Sequence, residues 1–310
     1  MADQADSLRA MAKGHKVAKA QAADGPREAP RSASAGHMRG AAASVTRARV
    51  VTVASGKGGV GKTSMAVNLA LQLCRLGRRV VLFDADLGLA NADLLLGVQP
   101  RWNLTHFFDG GRSLEDILCE GPLGLKLVAS GSGIARLADL GPEERGRIVE
   151  QFALLEGQAD FLIVDTGAGI SQNVLSFALA GDEVLIVTTP EPTARLDAYG
   201  LIKVLSQQAY SGRLRVIVNM SDSKVEADDV ARLLETLAGR FLNIHVETLG
   251  VVPRDLEVPR CVRAQKPFSL EKPDSPAARA VIAMARDLAE VKTAEEPRGF
   301  KGFLERLIGH

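Results

Sequence analysis

From residue 47 onward, short runs of apolar and β-branched residues alternate with longer stretches in which apolar positions recur every three or four residues. The runs are RVVTVA (49–54), RVVLFD (79–84), LKLVAS (125–130), FLIVDT (161–166), EVLIVTT (183–189), RVIVNM (215–220) and TLGVVP (248–253). Several are apolar throughout rather than alternating, as strands of a parallel sheet covered on both faces are. Between them, SMAVNLALQLCRLG (64–77) sets Val67, Leu69, Ala70, Leu73, Cys74 and Leu76 at helical spacing and ends on Gly77, a helix stop. Strand and helix in alternation predict a doubly wound α/β domain with a mostly parallel sheet over residues 47–290. Its last helix is expected to take Ser275 as cap and Pro276 in its first turn, and to run through AARAVIAMARDLAEV. No internal repeat is present.

The two ends have a different texture. Residues 1–46 are rich in Ala, Gly, Ser and Arg, with few large apolar residues and a basic balance, which predicts a flexible arm. After a charged linker, 291–297, residues 298–310 carry Phe300, Phe303, Leu304, Leu307 and Ile308 in an i, i+3, i+4, i+7, i+8 pattern. At about 100° per residue these cover an arc of about 140°, with Glu305 and Arg306 opposite and Lys301 at the edge. Such a helix either lies on a membrane surface or packs on its own domain.

Composition narrows the possibilities. The chain has 310 residues, 46% of them hydrophobic, enough for a large core. Its 38 Lys and Arg balance 37 Asp and Glu, so the whole molecule has no field that would favour nucleic acid or anionic lipid. Cys74, Cys119 and Cys261 form no CxxC pair, which suits a reducing cytosol. The polar N-terminus lacks the layout of a signal peptide, and no apolar run approaches the length that spans a bilayer. A cytoplasmic location is expected.

The first strand runs into SGKGGVGKTS (55–64), and a helix follows. Gly56, Lys57, Gly58, Gly59, Val60, Gly61, Lys62 and Thr63 satisfy GxxxxGK-S/T in the strand–loop–helix setting where that pattern has a mechanism. The glycines bring backbone N–H groups against a β-phosphate, and the helix N-terminus adds partial positive charge. Lys62 is expected to neutralise β/γ oxygens, the Thr63 hydroxyl to ligate Mg²⁺, and Ser64 to complete the cradle. Lys57 is a second lysine inside the loop, placed to reach the phosphates of a nucleotide on a facing subunit.

Acids stand at two other strand ends, Asp84 and Asp86 in FDADLGLAN and Asp165 in FLIVDTGAGI. A carboxylate ending an apolar strand is costly to bury without a partner or cation. Asp165 reads as the acid that holds Mg²⁺ through water, with Thr166 to Gly169 as a switch. Asp84 and Asp86 either serve the site, Asp84 as a possible metal ligand, or cap the next helix.

KGGVGKT resembles the deviant Walker A box of the MinD/ParA ATPases, in which the extra lysine acts across an ATP-sandwich dimer. That resemblance implies an ATPase using ATP and Mg²⁺, dimeric with ATP, with Lys57, Lys62 and Asp86 catalytic and Asp86 orienting the attacking water. It also implies that Asn219, Pro253 and Asp255 contact adenine and that the segment holding Glu191 and Asp197 faces the dimer. Iron–sulfur members need cysteines that this chain lacks, and no basic surface for direct nucleic-acid binding stands out. The tail is similar to the membrane-targeting helix of MinD, which implies a peripheral site on the inner face of the cell membrane and an anionic lipid partner. Asp3, Gln4, Ala5, Leu8 and Arg9 spell DQAxxLR, which resembles the activator motif of the flagellar-number branch called FlhG, FleN or YlxH. GSGIARLADL (131–140) agrees with that branch too. Membership would imply control of flagellar number and placement, stimulation of the GTPase FlhF, and a flagellar transcription activator or switch-complex protein as target. MinD-like control of the division site is the alternative.

Overall fold

The computed structural model of the chain describes residues 47–86, 90–129, 141–290 and 297–309. The DQAxxLR segment, the rest of the arm and GSGIARLADL lie outside the described residues. In chain order the elements are β1 (Arg49–Ser55), α1 (Lys62–Arg75), β2 (Val80–Ala85), α2 (Ala92–Leu96), α3 (Leu104–Phe108), β3 (Leu118–Glu120), β4 (Lys126–Ala129) and α4 (Pro142–Ala153). There follow β5 (Phe161–Ala168), α5 (Gln172–Ala180), β6 (Glu183–Thr188), α6 (Pro192–Gln207), β7 (Arg213–Ser221), α7 (Lys224–Leu237) and β8 (Glu247–Pro253). The last are α8 (Glu257–Arg263), α9 (Phe268–Glu271), α10 (Pro276–Glu290) and α11 (Gly299–Gly309).

The strands form one eight-stranded sheet in the order β3-β4-β2-β5-β1-β6-β7-β8. All neighbours are parallel except β3 and β4. This is the doubly wound sheet that the apolar runs predict. Strand β3 is the addition: its three residues are at most half-buried, too short and too exposed to print a pattern in the sequence. Burial explains the non-alternating runs, since every residue of β1, β2 and β6 is buried. One face of β1 packs with Met65, Leu69 and Leu73 of α1 and with Val281 and Leu288 of α10; the other packs with Phe177 of α5 and Phe303 of α11. Helix α10 begins where expected, with the Ser275 hydroxyl accepting a hydrogen bond from the Ala278 N–H at 3.2 Å.

Of the two readings of the tail, helix α11 shows the packed one, docked on its own domain. Phe300, Phe303, Leu304 and Ile308 are 0%, 1%, 1% and 7% exposed, and Leu307 is partly buried in the same cluster. Their apolar arc sits in the core rather than outward. Phe303 lies against Phe177, ring centroids 6.3 Å apart, and Arg145 of α4 donates to the Ile308 carbonyl at 3.0 Å. Polar bonds fix the entry: the Glu156 carboxylate accepts from the N–H groups of Ala48 (2.9 Å) and Lys301 (3.4 Å), and Asp182 accepts from the Arg298 N–H at 3.1 Å. The periodicity announced a face to be buried, and the chain's own domain covers it. Among the described residues no helix is long and apolar enough to cross a membrane.

Gly299 marks the start of this docked helix, with φ +71° and its missing side chain replaced by the Glu156 carboxylate, which a Cβ would overlap. Ala at this position must adopt a left-handed backbone, at about 1–2 kcal/mol, and push Glu156 off the two N–H groups it accepts from. We expect Gly299→Ala to lower the thermal midpoint by roughly 5 °C, at about 2–4 °C per kcal/mol for a domain of this size. Scanning calorimetry checks this; an unchanged midpoint would mean that the tail is not seated in solution.

Candidate nucleotide site

The carboxyl edge of the sheet gathers the predicted residues from the ends of β1, β2, β5, β7 and β8. The cradle leaves β1 at Ser55, where the Ser55 hydroxyl donates to the Lys57 carbonyl at 3.0 Å, and enters α1 through Gly61. Gly59 and Gly61 take φ values of +81° and +88°, which only glycine adopts without strain. At Gly61 there is a second reason, because a Cβ would overlap the Asn219 side-chain amide. Gly56 is needed for close approach, since its Cβ would overlap the backbone carbonyl of Asp197 in α6. That packing sets the α6 segment against the cradle.

Lys62 is 7% exposed, and its ammonium donates to Asp165 Oδ1 at 2.6 Å. Asp165 has no exposure. Burial pushes its carboxyl above the usual carboxylate range, while Lys62 and the Thr63 hydroxyl pull it back. A buried pair of this kind repays its desolvation only when the remaining lone pairs are also met. Asp165 Oδ2 is buried without a hydrogen-bond partner among the described residues. That orphaned oxygen, with the Thr63 hydroxyl nearby, fits a hydrated Mg²⁺ at the position the sequence assigns. Bound there, the ion would supply charge neutralisation for the transferring phosphoryl group.

Asp84 and Asp165 are register neighbours on β2 and β5. Asp84 is 2% exposed, and its two oxygens accept from the N–H of Asp86 (3.2 Å) and of Ala92 (3.0 Å). It caps α2 from outside that helix, the capping alternative that the sequence left open. Burial, reinforced by the charge of Asp165, pushes its carboxyl up to about 6, against the pull of the two N–H groups. Asp86 lies beside Gly167 of β5, its Oδ1 3.6 Å from where a Cβ would stand. With Ser55, Lys57, Lys62, Thr63 and Ala168 it lines a cavity of about 550 Å³.

Lys57 does not bend toward its own cradle. Its ammonium donates to Glu191 Oε1 at 2.7 Å and to the Thr193 hydroxyl at 2.6 Å, at the start of α6. That hydrogen bond, with one from Thr193, draws the Glu191 carboxyl below its ordinary range. Thr193 had no signal in the sequence, because its role depends on α6 packing over Gly56. The far wall of the cavity was also not anticipated: Asn91, Leu94 and Leu95 at α2 face Val262 and Arg263 of α8 and Gln265.

The three base-contact candidates carry internal bonds. The Asn219 amide donates to the Val60 carbonyl at 2.8 Å, and its oxygen accepts from the Met220 N–H, so it braces the cradle from the end of β7. Asp255 accepts from the N–H groups of Glu257 and Ala277 at 2.9 and 3.1 Å, tying α8 to α10. Pro253 ends β8 beside Ser221. Asn219 and Pro253 stand at the ends of β7 and β8, and Asp255 lies two residues beyond β8.

A parallel sheet with a phosphate cradle at its switch point, a buried Lys–Asp pair and acids at adjoining strand ends defines a P-loop nucleotide-binding protein. Residues 51–268 match the CobQ/CobB/MinD/ParA nucleotide binding domain, and the chain belongs to that family. It is 41% identical over 263 residues to the antiactivator FleN of Pseudomonas aeruginosa, covering 84% of this chain and 94% of that protein. The Helicobacter pylori flagellum site-determining protein YlxH is 34% identical over 266 residues, 84% of this chain and 90% of that protein. Among solved structures, the septum site-determining protein MinD complexed with Mg-ADP from Pyrococcus horikoshii OT3 is similar, with a TM-score of 0.63 and 27% identity. It covers 80% of this chain and 100% of that one.

Proposed function

We propose that this protein is a Mg²⁺-dependent ATPase that controls flagellar number and placement by cycling between an ATP-bound dimer and a monomer. The observation that carries the reading is that Lys57, Lys62, Thr63 and Asp86 line one cavity in a chain similar to FleN and YlxH over most of its length. In the cycle, the cradle N–H groups and Lys62 hold the β- and γ-phosphates, and adenine rests toward Asn219, Pro253 and Asp255. Lys57 crosses to the nucleotide of the second subunit. The Asp86 carboxylate orients the attacking water, so hydrolysis rests on positioning and electrostatics more than on proton transfer. FlhF is activated through Asp3, Gln4, Ala5, Leu8 and Arg9, and the downstream target is a flagellar transcription activator or switch protein. Contact with an anionic membrane requires α11 to leave its seat first.

The test is Asp86→Ala. Expected is a loss of ATP turnover of about 100-fold or more, with Mg-ATP binding kept and the ATP dimer accumulating in sedimentation. Cells carrying the variant in place of the normal chain should differ in flagellar count by electron microscopy. Normal turnover would return Asp86 to a structural role, and unaltered counts in cells lacking the chain would remove the flagellar reading.

A further inference from the structure

Asp84 stands at the end of β2 with both carboxylate oxygens spent on backbone. Oδ1 accepts the Asp86 N–H at 3.2 Å and Oδ2 accepts the Ala92 N–H at 3.0 Å. One buried side chain therefore ties two points of the chain, six residues apart, to the sheet. Its strand gives it a fixed place: Asp84 is in register with Asp165, and Ala85 with Thr166. Ala85, between Asp84 and Asp86, is 3% exposed and belongs to the core. The first residue beyond that anchored strand is Asp86, whose carboxylate sits by Gly167. What fixes Asp86 on its N-terminal side is the strand; what fixes its own N–H and the start of α2 is Asp84. A carboxylate is the side chain of this size with two acceptor oxygens and no donor, as two converging N–H groups require.

We propose that Asp84 is a positioning residue for ATP hydrolysis, which holds Asp86 over the cavity by accepting the N–H groups of Asp86 and Ala92. It acts through Asp86, and so rests on the reading that Asp86 orients the water. Asn at position 84 keeps the shape but offers one acceptor and turns an N–H₂ against the other donor, so one tie is lost and the Asp86 backbone shifts. Misplacement of a reacting group by about 1 Å can cost a hundredfold in rate. A residue that ligated the ion would behave differently, since its loss would raise the Mg²⁺ needed for activity.

The experiment compares full-length Asp84→Asn, Asp86→Ala and the double variant with the unaltered chain. It measures kcat, KM for ATP, half-saturating Mg²⁺ and ATP-dependent dimerisation; Asp84→Ser is carried alongside should the Asn amide not be accommodated. Expected for Asp84→Asn is a kcat lower by about 10- to 100-fold, with KM and half-saturating Mg²⁺ within twofold and the dimer kept. The double variant should be no slower than Asp86→Ala alone. A half-saturating Mg²⁺ that rises with the loss of turnover, an additive double variant, or normal turnover by the Asp84 variants would each overturn the proposal while leaving Asp86 in its role. Normal turnover by Asp86→Ala would instead remove the Asp86 reading, and the positioning role with it.

Discussion

Phe303→Asp is expected to unfold much of the domain rather than merely silence a membrane anchor. Phe303 is 1% exposed and lies against Phe177 in the cluster that also holds Val50, Phe83 and Val164. Truncating a buried Phe costs about 3–5 kcal/mol, and a carboxylate in the same space adds the cost of burying a charge or of protonating it. Against a total stability of about 5–15 kcal/mol, the variant should lose at least 10 °C of thermal midpoint, at about 2–4 °C per kcal/mol, or fail to accumulate as soluble protein. Differential scanning fluorimetry reads this directly. A midpoint within a few degrees of the unaltered chain would mean that α11 leaves its seat readily in solution. The same burial limits what a membrane can offer. Five large apolar residues are worth about 1.5–3 kcal/mol each when withdrawn from water, but in the docked state most of that is already realised. Moving α11 to lipid exchanges one apolar environment for another, so the balance must be tipped by pairing two tails on one dimer or by a change at the groove.

The tail shows where reading a sequence stops. Spacing at 300, 303, 304, 307 and 308 declares a helix with one apolar face, and the helix forms at Gly299–Gly309. It does not say whether lipid or protein covers that face, because both offer the same transfer free energy. The cradle was legible because its chemistry is local: Gly59, Gly61, Lys62 and Thr63 act through the backbone they occupy. The pairing of Lys62 with Asp165 bridges 103 positions yet could be foreseen, since both acids and cradle stand at carboxyl ends of strands, where a parallel sheet converges. What could not be foreseen depends on helices packing over that edge. The Lys57 partners Glu191 and Thr193 require α6 to approach Gly56, and the cavity wall at Arg263 and Gln265 requires the end of α8 to come opposite α2. The Asn219 amide is a milder case: its strand-end place was legible, but its bond to the Val60 carbonyl was not.

Lys57→Ala is expected to bind ATP and remain a monomer. In the isolated chain the Lys57 ammonium rests on Glu191 and Thr193, partly in solvent, with side-chain exposures of 33% and 58% for the ion pair. Exposed pairs hold weakly, so little opposes its transfer to a nucleotide bound by a second copy. There it would meet concentrated negative charge shut away from water, where a charge-assisted hydrogen bond is at its strongest. A two-fold dimer makes the contact twice, so one substitution removes two bonds and leaves both phosphate groups short of a cation. Loss of one partner of a desolvated charge pair commonly costs about 30-fold to a few thousandfold, and the dimerisation constant should weaken by about 100-fold at least. Glu191→Ala should move the other way, tightening the dimer a few-fold, because Lys57 then gives up only the Thr193 hydroxyl rather than an ion pair as well. Sedimentation velocity with ATP in an Asp86→Ala background, where turnover does not erode the dimer, measures both. A normal ATP dimer from Lys57→Ala would place this lysine outside the interface. If Glu191→Ala weakened the dimer, Glu191 would itself be an interface group rather than a resting place for Lys57.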